Sequence, residues 1–422
     1  MQVVAVQQAV HRIPLAFPCL TRLDLFKAQL QDGALFDMLA CQASCMLRSL
    51  QLWECSIHTD AVVNAAQSLA LLPHLNALKV MGSGAGIAAQ LTGLTSLVIN
   101  SQNNATAGQM CRIAGQNTGL VQLELGRYTY YDGPPLQASR HQLSSLSKCT
   151  SLTQLNIAGF QIDGQALDVL LTQLTSITDL TLGATTLDSS RADRQCSWRK
   201  LTLRGPQEGI LAQLAYLPLR SVQEGGINVL SGTLVLPAPD AVAAAQLPRL
   251  VHQAAINLTT CPAWINAAPA RLSLQGAGQA LTAEQRVQLF QALAPMGGPH
   301  VTEMTINLAG QLQLDSAEVQ ALASTTSGSL KALSLGNCTL LCTFWKVLPH
   351  HLPQLSSIAL SHNVVASAMD IAMYLAIRSS SSMQPLHLAV GSGVLDEESQ
   401  LWLEQHISGW QLQLHNITLL LE

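Results

Sequence analysis

The chain has 422 residues, 48% hydrophobic and only 11% charged, with a formal net charge of −4 and a pI of about 6.3. That balance excludes a protein steered onto nucleic acid by a broad basic surface. No apolar run approaches the ~20 residues of a membrane-spanning helix, and ten cysteines are too sparse for a disulfide scaffold. The first residues, MQVVAVQQAVHRIPLAF, lack the basic start and sustained apolar stretch of a secretory signal. The expectation is an intracellular, cytoplasmic protein with reduced thiols. Its four sequons, at Asn104, Asn257, Asn337 and Asn416, are then chance matches.

After a flanking segment, residues 1–19, one pattern recurs to the end of the chain. Its clean copies are Leu20-x-x-Leu23-x-Leu25, Leu47-x-x-Leu50-x-Leu52, Leu120-x-x-Leu123-x-Leu125 and Leu152-x-x-Leu155-x-Ile157. Ile177-x-x-Leu180-x-Leu182, Leu330-x-x-Leu333-x-Leu335 and Leu355-x-x-Ile358-x-Leu360 continue it. Looser copies begin near Leu75, Leu94, Trp198, Leu219, Leu247, Pro269, Val301, Met383 and Gly409. The spacing predicts about 16 units over residues 20–422 with a mean period of about 26 residues. The rhythm is irregular at about 189–270, where SSRADRQCSW and LSGTLVLPAPDAVAAA interrupt it.

Each unit reads as a strand followed by a helix. In the L-x-L core the leucines point to one face and the residues between them to the other. The segments 32–44, 163–174 and 282–294 start with Asp or Thr near a helix cap and then place apolar residues three and four apart. DSAEVQALAS and DEESQLWLEQHIS behave alike. No unit buries its leucines alone, so stability is a sum over stacked neighbours.

The repeated skeleton resembles the leucine-rich repeat superfamily, in its ribonuclease-inhibitor-like and F-box-associated classes. The resemblance implies an α/β solenoid: a curved horseshoe with a parallel β-sheet on the concave face and helices on the convex face. It also implies a non-enzymatic scaffold that binds a protein partner of unknown identity through that concave face. Two alternatives travel with it. One is substrate recognition in an SCF-type ubiquitin ligase; the 19 residues before the first unit leave no room for an F-box, so that role requires a further segment or another adaptor contact. The other is a cytoskeletal or axonemal scaffold.

Motifs of catalysis are missing from the sequence. There is no G-x-S-x-G elbow, papain-like cysteine context or Walker-type loop. MGSGAG (81–86) lacks the lysine of a phosphate loop and reads as a tight turn after Val80. Cys41 and Cys45 stand four apart, as do Cys338 and Cys342, but neither pair has a second motif at zinc spacing. His350 and His351 read as an exposed connector between prolines, and the acids Asp163, Asp315, Asp396, Glu397 and Glu398 sit at helix starts, where negative charge suits the helix N-terminus. The expectation is no enzyme activity, no cofactor, no metal and no small-molecule substrate. Cys55 and Cys338 occupy the turn position of their units, where a small polar group serves the backbone; Thr185 and Asn363 stand at the same place. Eleven strand steps put them ~50 Å apart, too far for a shared bridge.

The residues flanking the inward leucines define the face that could bind. The first three units present Arg22, Asp24 and Phe26, then Ser49, Gln51 and Trp53, then Ala77, Lys79 and Met81. Phe26, Trp53 and Met81 then form an apolar stripe across adjacent strands, edged by Arg22, Asp24 and Lys79, the composition of an interface hot spot. Two readings stay open besides a register error: the stripe anchors a partner, or residues 1–19 fold over it. A second candidate is the loop GRYTYYDGPP (126–135), where Tyr130 and Tyr131 sit beside a turn while Tyr128 falls at a ladder position. Farther along, Gln154, Asn156, Thr181, Ser273, Thr305, Ser334 and Ser361 leave the face small and polar.

Overall fold

The structure is a computed structural model. It describes residues 2–5, 19–30, 34–41, 46–82, 85–101, 106–127, 134–187, 189–204, 207–225, 233–236, 245–267, 270–277, 281–297, 301–326, 328–361, 363–380, 385–410 and 417–421. The chain is α/β, a succession of parallel strands and helices in two compact units. The first comprises Met1–Ser189 with Arg194–Gly205, the second Ser190–Asp193 with Pro206–Glu422. The division falls inside the stretch whose rhythm is irregular in sequence.

In the first unit the strands Gln2–Ala5, Arg22–Phe26, Ser49–Ile57, Ala77–Gly82, Ser96–Ser101, Gln122–Arg127, Gln154–Ile157, Asp179–Leu182 and Lys200–Leu203 lie side by side in chain order. The register aligns the repeat anchors into columns. Leu23 pairs with Leu50, then Leu78, Leu97, Leu123, Leu155, Leu180 and Leu201 follow. All eight are buried to 2% exposure or less. Each leucine is covered by the leucines of the neighbouring strands, which is why one unit alone would not hold. Beside this sheet Leu136–Ala138, Phe160–Asp163 and Thr185–Thr186 form a small parallel sheet of their own. Gly183 leads into it, and any side chain there would meet the carbonyl oxygens of Ala158 and Phe160.

The second unit repeats the scheme. Its strands Thr233–Leu236, Arg271–Ala277, Glu303–Leu314, Ala332–Leu340, Ser357–Leu360, Leu386–Val390 and Ile417–Leu421 form a seven-stranded parallel sheet. One column runs Leu272, Met304, Leu333, Ile358, Leu388, Leu419. An asparagine ladder crosses three successive units, from within Glu303–Leu314 and Ala332–Leu340 to just after Ser357–Leu360. Asn337 Nδ2 donates to Asn307 Oδ1 at 2.6 Å, and Asn363 Nδ2 to Asn337 Oδ1 at 3.0 Å. Asn337 and Asn363 take φ of 53° and 59°, a left-handed conformation that asparagine tolerates better than most residues.

The helices start where their caps predict. Asp163 Oδ1 accepts from Ala166 N at 2.7 Å ahead of the helix Gly164–Thr172, and Thr282 forms a full capping box with Gln285 ahead of Ala283–Ala292. Asp396 likewise accepts from Ser399 N at 2.7 Å before Glu397–Trp410. Other expectations need correction. Leu247 begins a helix, Leu247–Thr259, and not a strand, because Pro248 stands at a helix-starting position and the apolar residues that follow keep helical spacing. The unit placed at Met383 is two residues early: Leu388 pairs with Ile358. Gly409 lies in the helix Glu397–Trp410, and the last strand is Ile417–Leu421. His350 and His351 sit in the last turn of the helix Cys342–His351, which runs through Pro349, and not in a connector. In MGSGAG the strand extends to Gly82 and a helix begins at Ala85; residues 83 and 84 lie outside the described residues.

Candidate binding surface

On the first unit's sheet, the face away from the buried leucine column carries two rows of side chains fixed by the register. One row is Arg22, Ser49, Ala77, Ser96, Gln122, Gln154, Asp179, Lys200; the other is Asp24, Gln51, Lys79, Val98, Glu124, Asn156, Thr181, Thr202. Alternation along each strand puts these residues opposite the leucines.

At one end of these rows Phe26 and Trp53 are cross-strand partners. Phe26 is 49% exposed and Trp53 half-buried. Both stand just before a residue in the left-handed region, Lys27 and Glu54, each at φ 52°. There the chain leaves the strand line, with Lys27 N donating to Trp53 O at 2.8 Å and the Lys27 ammonium 3.5 Å from Glu54 Oε2. Each ring also meets a cation: Lys27 Nζ lies 5.2 Å from the Phe26 ring centroid, and Lys79 Nζ 4.2 Å from that of Trp53. The indole nitrogen donates to Gln51 Oε1 at 2.9 Å, so its polar group is satisfied within the sheet. Arg22 Nε lies 3.0 Å from Asp24 Oδ1.

The structure thus brings Arg22, Asp24, Phe26, Trp53 and Lys79 together. Met81 does not join them, since it is only 1% exposed. The pairing slips at its level: Leu52 faces Val80 but Cys55 faces Gly82, so three steps on one strand match two on the other. The extra residue lies on the strand of Trp53, while Met81 keeps its register with Asn100 of the next strand. Tyr130 and Tyr131, with Tyr128, lie outside the described residues. Of the flanking segment, Gln2–Ala5 is a strand in register beside Arg22–Phe26, extending the sheet sideways; residues 6–18 lie outside the described residues.

Farther along the same face is a shallow hollow of about 270 Å³, lined by side chains that include Val98, Gln122, Glu124, Gln154, Asn156, Asp179, Thr181 and Lys200. Its amides are ordered across strands. Gln122 Nε2 donates to Gln154 Oε1 at 2.6 Å, Ser96 Oγ donates to Gln122 Oε1 at 3.4 Å, and Asn100 Nδ2 donates to Glu124 Oε1 at 3.4 Å. Sequence reading treats these positions as bland. The signal for an ordered row was there in the amides at matching positions of successive units, Gln122 and Gln154.

Cys55, Cys111, Cys149, Cys261 and Cys338 are buried among the packed strands and helices. None of the nine described cysteines is in a disulfide, and no cluster of three or more His, Cys, Asp or Glu side chains able to hold a metal occurs among the described residues. Cys55 Sγ donates to Leu25 O of the adjacent strand at 3.5 Å, and Cys149 Sγ to Asn117 O at the same distance. Burial pushes the Cys111 and Cys338 thiols up to about 12. Iodoacetamide applied to the native protein at pH 8 is therefore expected to modify the exposed Cys19 and Cys41 and to spare Cys111 and Cys338 until denaturant is added. Peptide mass mapping reads the outcome, and modification of Cys111 at the rate of Cys19 would contradict the packing described.

Among the described residues no helix is long and apolar enough to cross a membrane. No protein-family model and no curated protein matches the chain. Among solved structures the chain is similar to one in the crystal structure of the Rad7 and Elc1 complex in yeast. The identity is 15%, over 77% of this chain and 78% of that one, with a TM-score of 0.29.

Proposed function

We propose that the chain is a leucine-rich repeat protein and works as a non-enzymatic scaffold, binding a protein partner on the open face of its first unit. The observation that carries the reading is the pair Phe26 and Trp53, aromatic side chains set side by side at the end of a long polar sheet face and bordered by charge. Large aromatic side chains with a polar surround are the usual energetic centres of protein interfaces. The leucine columns support the repeat assignment, since the anchors of successive copies fall into one register. Chemistry would need reactive groups brought together, and this face offers amides, hydroxyls and ion pairs.

Affinity purification of the full chain from its native cell, compared with Trp53→Ala and Phe26→Ala, tests the proposal. Each substitution is expected to weaken capture of a specific partner by about 2 kcal/mol, roughly thirtyfold, while the melting temperature stays close to wild type. Undiminished capture of every specific partner by both variants would sink the assignment of this end of the face.

A further inference from the structure

The charges around the aromatic pair are not equivalent. Arg22 is matched by Asp24 at 3.0 Å and Lys27 by Glu54 at 3.5 Å. Lys79 has no carboxylate within 4.0 Å among the described residues, and its cross-strand neighbours on the face are the uncharged Gln51 and Val98. Its ammonium is held over the Trp53 ring at 4.2 Å. An ammonium fixed in that way gives up less freedom when an anion arrives than a lysine waving in solvent. Two strands farther, in the same row, Glu124 contacts the amide of Asn100, with no cation within 4.0 Å among the described residues. Two strand spacings separate Lys79 from Glu124, about 10 Å. Beside the apolar ring pair the face thus offers an ammonium with no carboxylate in reach among the described residues and, two strands along the same row, a carboxylate with no cation in reach; Asp179 and Lys200 lie farther along, in the other row.

We propose that this face takes an extended protein segment of matching chemistry: a carboxylate set against Lys79, an apolar side chain next to it on Phe26 and Trp53, and a cation toward Glu124. About 10 Å spans three residues of extended chain, so the segment's acidic and basic residues stand about three apart. The inference rests on the protein-binding reading above and specifies the partner's chemistry.

The test uses the full chain, immobilised, and a random 12-residue peptide display library as probe. Enriched peptides are expected to carry an acidic residue beside an apolar one and a basic residue about three positions away. Lys79→Glu should weaken a synthesised winner about tenfold or more. Replacing that peptide's acidic residue with lysine should restore binding to the Lys79→Glu protein, which also shows that the variant is folded. Peptides that lose binding to Trp53→Ala yet bind Lys79→Glu unchanged would overturn the charge assignment and leave the protein-binding reading standing. Peptides indifferent to Trp53→Ala, Phe26→Ala and Lys79→Glu alike, or a library that enriches nothing, would overturn both.

Discussion

Leu155→Asp is expected to open the middle of the first unit. Leu155 is 2% exposed and stands in the buried column between Leu123 and Leu180, which are themselves covered only by their neighbours. A carboxylate there replaces a packed leucine and must be buried charged, protonated, or exposed by unfolding; the expected loss is about 4 kcal/mol or more. In a stack where each repeat is held by the next, the damage spreads to the adjoining strands. Gln154→Asp is the control. Gln154 is one residue away but lies on the open face, where it accepts from Gln122 at 2.6 Å, so its loss should cost about 1 kcal/mol. Urea melts of the two variants decide the matter. Equal losses, or an unchanged midpoint for Leu155→Asp, would show that the register is wrong.

The repeat was legible because its signal is redundant. In L-x-x-L-x-L the second spacing is a strand period, and a slip by one residue would expose every leucine at once. The clean copies from Leu20 to Leu182 therefore land in register. The signal fails where a copy keeps its apolar character but loses its punctuation. Around Met383 several apolar residues offer themselves as anchors, and MQPLHLAV fits the skeleton at more than one offset; packing against Ser357–Leu360 selects Leu388 and Val390. Around Leu247 the same residue type serves a helix, and the proline with the apolar spacing beyond it tells the two apart. The strand Thr233–Leu236 is hidden in a stretch that reads as an interruption.

The candidate site was legible to the extent that it follows from alternation. Arg22, Asp24, Phe26, Trp53 and Lys79 fall where a period of two puts them. Met81 is lost because its burial depends on what neighbouring strands pack around it, and nothing in one strand's sequence announces that. The rows of amides escape for a related reason. That Gln122 reaches Gln154, or that Lys79 lies over Trp53, depends on rotamers chosen across the sheet. The identity of the residues is in the sequence, but which neighbour each one satisfies is settled only by the register.

A second large effect is expected outside the binding face, at the buried ion pair of Arg286 and Glu318 in the second unit. Arg286 Nε lies 2.7 Å from Glu318 Oε1, with side-chain exposures of 11% and 0%. Glu318 Oε2 also accepts from Asp315 N at 2.9 Å, so the carboxylate joins the starts of two helices, Ala283–Ala292 and Ser316–Thr326. Arg286→Met strands that carboxylate without its cation and is expected to cost about 3–5 kcal/mol at neutral pH. Arg286→Met with Glu318→Leu removes both charges and should recover most of the loss, because an apolar pair of similar volume needs no compensation. The pH dependence has a definite sign. Burial first, and then the hydrogen bond with Asp315, raise the Glu318 carboxyl above the ordinary glutamate value, against the pull of Arg286. A raised folded value means that this group's contribution is fully present below the unfolded glutamate pKa and is lost as pH rises through the folded one. Without Arg286 the value rises further, so the single variant should be least impaired near pH 4 and most impaired at pH 7, while the double variant shows no such slope. Denaturant unfolding at the two pH values measures it. A single variant equally impaired at both would mean that the carboxylate finds another partner or reaches water.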